Sequence, residues 1–210
     1  MNNNQMIYFL KKHYSKRLKK ALKDRGYENK EILKKQYQER FLKYMSDADF
    51  GNNNERFSSY LNIFSGLAAY ELLQENGFSK QDGIEIYDYM CRPLRKVASL
   101  AYRVADLLPN GFTISVNSVK EDMTGEKSVC WETSIVEDSE KRFEYRITKC
   151  LYFDVCKAHG YPEFTKVFCT HDRYAYEVLH RHAKFIRYSA IGEGGDCCHD
   201  AFVKVTCAEC

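Results

Sequence analysis

The sequence predicts an α+β fold on three observations. Its first half repeats apolar residues at helical spacing, its hydrophobic period shortens to two residues after Pro109-Asn110-Gly111, and two further helical segments interrupt the strands that follow. The expected architecture is an N-terminal helical half packed on a five-stranded, mainly antiparallel sheet. Its second half runs β-β-β-α-α-β-β, with two inserted helices.

The first helix follows from Ile7, Leu10, Tyr14, Leu18, Ala21 and Leu22, which Gly26 stops, and the second from Ile32, Leu33, Tyr37, Phe41 and Tyr44. The polar stretch Ser46 to Asn54 separates them from a third helix, Phe57 to Leu73, closed by Gly77. Ser79 with Asp82 three residues on has the form of a capping box for a fourth helix reaching Leu107 and Leu108, with Pro93 inside it as a kink or restart. Then "FTISVNSV", "KSVCWETSIV" and "KRFEYRIT" alternate apolar and polar residues between turns at Thr124-Gly125 and Glu137-Asp138-Ser139, which predicts a meander. A short helix from Leu151 to His159 stops at Gly160, and a second runs from Glu163 to about Leu179. Two strands, Lys184 to Ile191 and Cys197 to Thr206, complete the series. The organisation reads as a basic helical arm over residues 1–46 and an α+β domain over 55–206, with a helical lead-in at 55–108 and the sheet at 111–206.

The net charge of +3 conceals an asymmetry: Met1 to Met45 holds 13 Lys/Arg against 4 Asp/Glu, leaving the remainder acidic. In that arm tyrosines alternate with cations, but no base-reading motif accompanies them, so nucleic-acid binding is not expected. The simpler account is an apolar face that docks onto the body or onto a second subunit as a homo-oligomer, with the lysines solvated. The charges of the opening segment follow its short apolar run, unlike a secretory signal, and no stretch approaches the ~20 apolar residues of a membrane span. Nine cysteines, an odd number, read as reduced thiols in a cytoplasmic protein.

The late stretch "GGDCCHDAF", Gly194 to Phe202, places two cysteines and a histidine after a double glycine. It joins an ordered series: Trp131 in a strand, Phe143-x-Tyr145-x-Ile147-Thr148-x-Cys150, Gly160-x-Pro162, Phe168-Cys169-x-x-Asp172, and Gly194-Gly195-Asp196-x-Cys198. This series resembles the L-2-amino-thiazoline-4-carboxylic acid hydrolase family over about Glu55 to Val205. The resemblance implies hydrolytic opening of 2-amino-thiazoline-4-carboxylate, or a related cyclic amidine, to an N-carbamoyl-cysteine, acting on a small-molecule substrate. It implies Cys150, Cys169, Asp172, Cys198 and His199 as catalytic candidates and Gly195 and Asp196 at the substrate. The family pattern has an acidic residue and then Phe after its last cysteine, whereas here Cys198-His199-Asp200-Ala201-Phe202 lengthens the interval. Either His199 or Asp200 takes the acidic role.

Ring opening needs an attacking water or thiol, a proton for the leaving thiolate and a cation for the substrate carboxylate. Arg146, Lys149 and Arg173 are candidates for the cation by position. A thiol activated by His171 or His199, with Asp172 orienting the base, is one version. A zinc held by two or three thiolates is another. Zinc is disfavoured because Cys150-x5-Cys156 is long for a ligand pair and adjacent Cys197 and Cys198 point to opposite faces of a strand, so no cofactor is expected. His180-x-His182 reads as an ordinary helix-to-strand junction, Gly192 to Gly195 as a hairpin turn or a pocket edge, and Cys207 with Cys210 as a frayed tail. The rival from another class is a non-catalytic small-molecule-binding or sensor domain of the 4-vinyl reductase type, whose late strands, helices and cysteines follow a similar order.

Overall fold

A computed structural model describes residues 2–51, 53–124 and 129–206. The chain packs as two units, Met1–Pro93 and Leu94–Cys210.

The first unit is helical: α1 (Asn3–Asp24), α2 (Lys30–Asp47), α3 (Asn54–Glu75) and the first half of α4 (Lys80–Asp106). Asn2 and Gln5 close a reciprocal capping box on α1, and the predicted box at Ser79 and Asp82 forms on α4, with Asp82 N–H donating to Ser79 Oγ at 3.1 Å. Helix α3 is buried on nearly every side from Phe57 to Leu73 and is the core of the bundle. Tyr14, Leu18, Ala21 and Leu22 of α1 and Leu33, Tyr37, Phe41 and Met45 of α2 are buried in the same unit, and the buried Tyr37 hydroxyl donates to the Ser65 carbonyl. Most of the arm's apolar stripe from Tyr14 onward is therefore buried inside this unit, while Ile32 is exposed. Gly83 lets α4 approach α3, since a Cβ there would lie 2.8 Å from the Tyr70 ring. Pro93 sits inside α4 without ending it. Among the described residues no helix is long and apolar enough to cross a membrane.

The second unit continues α4 and adds α5 (Gly111–Met123), β1 (Trp131–Asp138), β2 (Arg142–Cys150) and α6 (Leu151–Ala158). A 3-10 turn (Pro162–Phe164), α7 (Thr165–Tyr176), β3 (Ala183–Ser189), a second 3-10 turn (Ile191–Glu193) and β4 (Cys198–Lys204) complete it. Among the described residues the sheet has four strands, all antiparallel, in the order β1-β2-β4-β3. Five strands were expected, the first three as a meander, and the difference is "FTISVNSV". Its Ile114 and Val116 suggest alternation, but Phe112, Val116 and Val119 recur at three- and four-residue spacing and are buried together on one face of α5. Packing of that face into the sheet core decides in favour of the helix, overriding local β preference. The predicted strand from Lys127 begins only at Trp131, with residues 125–128 outside those described, as are Cys207 and Cys210.

One sheet face carries the core. Phe143, Tyr145 and Ile147 of β2 lie opposite Phe202, Asp200 and Cys198 of β4, and Phe185 and Arg187 of β3 lie opposite the same Phe202 and Asp200. Phe112, Val116 and Val119 pack into this layer from α5, Leu179 from just beyond α7, with Tyr102, Cys169 and Tyr176 against it. Asp106 ties the end of α4 to the start of β3. Its buried carboxylate accepts four backbone N–H bonds, from His180, Arg181, His182 and Ala183, at 2.7 to 3.0 Å. Burial opposes its ionisation, but these four donors outweigh it and leave the pKa below the ordinary value. Asp106→Asn should cost about 2 kcal/mol, because an amide group turns a donor toward amides that need acceptors. With a lowered folded pKa, the contribution of Asp106 is present above the unfolded carboxyl pKa and is lost as pH falls through the folded value. Urea melts at pH 7 and pH 3 should show the mutant deficit at the higher pH and a smaller one at the lower; a deficit unchanged by pH refutes the ionised cap.

Candidate active site

The strand ends and α7 bring Cys150, Cys169, Asp172 and Cys198 into one neighbourhood. Cys150 ends β2 and precedes the first turn of α6, Cys169 and Asp172 are three residues apart on α7, and Cys198 opens β4. The three thiols are within electrostatic reach of one another. Asp172 in turn acts on Tyr102, Tyr145, Cys150, Cys169 and Tyr176, which places its carboxyl at the centre of the group. Asp172 is exposed by area, yet protein surrounds it closely enough that desolvation dominates its titration.

Desolvation pushes the Asp172 carboxyl up to about 6, with Asp200 adding to the rise and Arg187 opposing it. The thiols are also pushed up, Cys169 to about 12 and Cys198 to about 11, in both cases chiefly by burial. Cys150 rises for the same reason, although backbone N–H groups of Phe153 and Tyr152 at the α6 N-terminus pull the other way. At neutral pH all three are protonated. Cys169 packs closely on Gly192: a Cβ there would lie 2.8 Å from its Sγ and 3.1 Å from the Lys166 backbone nitrogen, so a larger residue would force the thiol to move. The Ile191 N–H meets Cys198 Sγ at 3.4 Å. Trp131 stacks on Tyr152 and Tyr152 on the edge of Phe168, an aromatic wall beside Cys150.

Behind Asp172 lies a buried ion pair that sequence reasoning did not place. Arg187 Nε and Nη2 donate to the two oxygens of Asp200, each at 2.8 Å, and Nη1 donates to the Cys169 carbonyl at 2.9 Å. Burial disfavours the Arg187 charge, but the Asp200 carboxylate more than compensates and raises its pKa. The Tyr145 hydroxyl donates to Asp200 at 3.3 Å. The signal for this pair was present in the strand pattern: Arg187 shares the inward register of Phe185, and Asp200 shares that of Cys198 and Phe202.

Several expected residues stand elsewhere. His199 points to the opposite sheet face, where Nε2 meets Glu144 Oε1 at 2.6 Å and the ring packs against Tyr188. The register therefore gives the inward acidic position after Cys198 to Asp200. Arg146 pairs with His199 on that same far face and is exposed. Arg173 is exposed on α7 and bonded to Glu177 and Glu193. Lys149 pairs with Glu132 of the edge strand. Gly195 holds a turn through its N–H to the Ala190 carbonyl, and Asp196 beside it is exposed, so both belong to the β3–β4 connection. His171 packs edge-on to Phe168. Among the described residues no three His, Cys, Asp or Glu side chains converge as a metal ion requires.

Comparison with known families places this arrangement. The family model described as L-2-amino-thiazoline-4-carboxylic acid hydrolase matches residues 56–202, well over half of the chain. The chain belongs to the L-2-amino-thiazoline-4-carboxylic acid hydrolase family. The match to this hydrolase family contains every residue around Asp172 and begins after α1 and α2. Neither the curated proteins nor the solved structures returned a match.

Proposed function

We propose that the protein is a hydrolase that opens the ring of 2-amino-thiazoline-4-carboxylate, or of a closely related cyclic amidine, by acid–base catalysis centred on Asp172. The observation that carries this reading is a carboxyl with a raised pKa, enclosed yet wetted, amid thiols that are all protonated. A carboxylate titrating near 6 is ionised at neutral pH and still basic enough to accept a proton from water.

In this mechanism the Asp172 carboxylate takes a proton from water as its oxygen adds to the amidine carbon and passes that proton to the ring nitrogen. The carbon–sulfur bond then breaks as the carbonyl forms, and Asp172 carries the hydroxyl proton of the adduct to the departing thiolate. One water is consumed and the product is N-carbamoyl-cysteine. Arg187 uses three N–H donors on Asp200 and Cys169 and has two more for the substrate carboxylate. The tyrosines Tyr102, Tyr145 and Tyr176, with pKa values raised mainly by burial, are neutral hydroxyls around the ring.

Thiols protonated in the resting protein are poor nucleophiles. Cys169→Ser should therefore retain turnover within about tenfold of wild type, as the neutral hydroxyl replaces a neutral thiol. Release of carbamoyl product from the thiazoline, followed by chromatography for both proteins, is the measurement. Turnover reduced to background in the serine variant would restore the thiol as nucleophile. The protonated thiols also suit the binding-only reading, in which the wild-type protein holds the thiazoline and releases no product.

A further inference from the structure

The second half of helix α4 turns its polar side inward. There Ser99, Tyr102 and Asp106 face the protein, with Asp106 spent on the backbone of residues 180–183. The opposite side carries Leu94, Val97, Leu100 and Val104, continued by Leu107 and Leu108 beyond the helix end. All are exposed, Val97 at 67%, Leu100 at 59% and Val104 at 53%. An amphipathic helix in water ordinarily shows the reverse arrangement.

The spacing 97, 100, 104, 107 is the three-four-three repeat of a two-helix seam. We propose that this stripe is a self-association surface, with α4 of one copy packed antiparallel on α4 of a second about a two-fold axis near Leu100 and Ala101. Such a seam is complementary to itself, as an isologous interface must be. Ala101, exposed at its middle, allows the two backbones to approach. The antiparallel sense follows from charge: Lys96 and Arg103 flank the stripe, and parallel pairing would set each beside its own copy, whereas antiparallel pairing separates them. Six large aliphatic side chains about half exposed offer roughly 500 Å² per copy, or about 1,000 Å² in a pair, before flanking residues are counted. That total sits at the floor of about 1,000 Å² for a specific interface, and a contiguous apolar patch of this size on one copy is often functional. The inference does not depend on the proposed reaction.

The test is sedimentation equilibrium of the full chain at about 50 μM, a concentration that populates a micromolar dimer. Wild type should sediment as a dimer. Leu100→Glu with Val104→Glu should be monomeric with an unchanged circular dichroism spectrum, and the milder Val97→Lys should weaken dimerisation at least tenfold. A monomeric wild type, or a dimer that survives the double substitution with its fold intact, overturns the proposal. A monomeric wild type that pellets with phosphatidylcholine–phosphatidylglycerol vesicles also overturns it and assigns the stripe to a lipid surface.

Discussion

Asp172→Asn is expected to lower turnover by about 10²–10⁴ while leaving the protein at least as stable as wild type at neutral pH. The two halves of this result have one cause. The folded pKa of Asp172 is raised, chiefly by desolvation, so the fold loses stability as pH rises through the unfolded carboxyl value toward about 6. A neutral amide at that position escapes the penalty. The same raised pKa gives the wild-type kcat/KM profile an acid limb near 6, since the base must be ionised to accept a proton from water, and the asparagine variant should lack that limb. A structural aspartate would behave oppositely, with a lower urea midpoint and near-normal turnover in the folded fraction. A profile flat through pH 6 in wild type would remove Asp172 from the chemistry.

The neighbourhood of Asp172 was readable from the sequence where its residues sit at ends of elements that the hydrophobic period locates well. Cys150 at a strand end, Cys169 and Asp172 on one helix turn and Cys198 at a strand start all follow from period and punctuation. What period alone did not resolve was which side of β4 follows Cys198. A strand reverses facing at every residue, so choosing between His199 and Asp200 needed the register against Tyr145 and Arg187. The α5 segment was misread because Ile114 and Val116 mimic alternation when the sheet that Phe112, Val116 and Val119 pack into is not in view. The cation was sought in Arg146 and Arg173, the arginines nearest the cysteines in sequence. The buried one, Arg187, belongs to another strand and reaches the Cys169 carbonyl across the fold.

Arg187→Met is the second large effect, expected to cost about 3–5 kcal/mol of stability. It leaves the Asp200 carboxylate, almost fully buried, with the 3.3 Å Tyr145 hydroxyl in place of a two-pronged guanidinium. It also removes the positive charge that holds down the Asp172 pKa, so the acid limb of kcat/KM should move to higher pH. Adding Asp200→Asn separates the two roles of the arginine. The double variant has no uncompensated charge, so most of the stability should return. Because Asp200 raises the Asp172 pKa, the acid limb should also shift back toward the wild-type position. The value of kcat/KM should not return, since the group assigned to the substrate carboxylate is still missing, and the loss should appear mainly in KM. Urea melts and pH profiles of the wild type, both single variants and the double form a complete cycle. A double variant with normal KM would make the Arg187–Asp200 pair a scaffold alone, and a single variant that loses less than about 1 kcal/mol would mean that the pair is not the buried support described here.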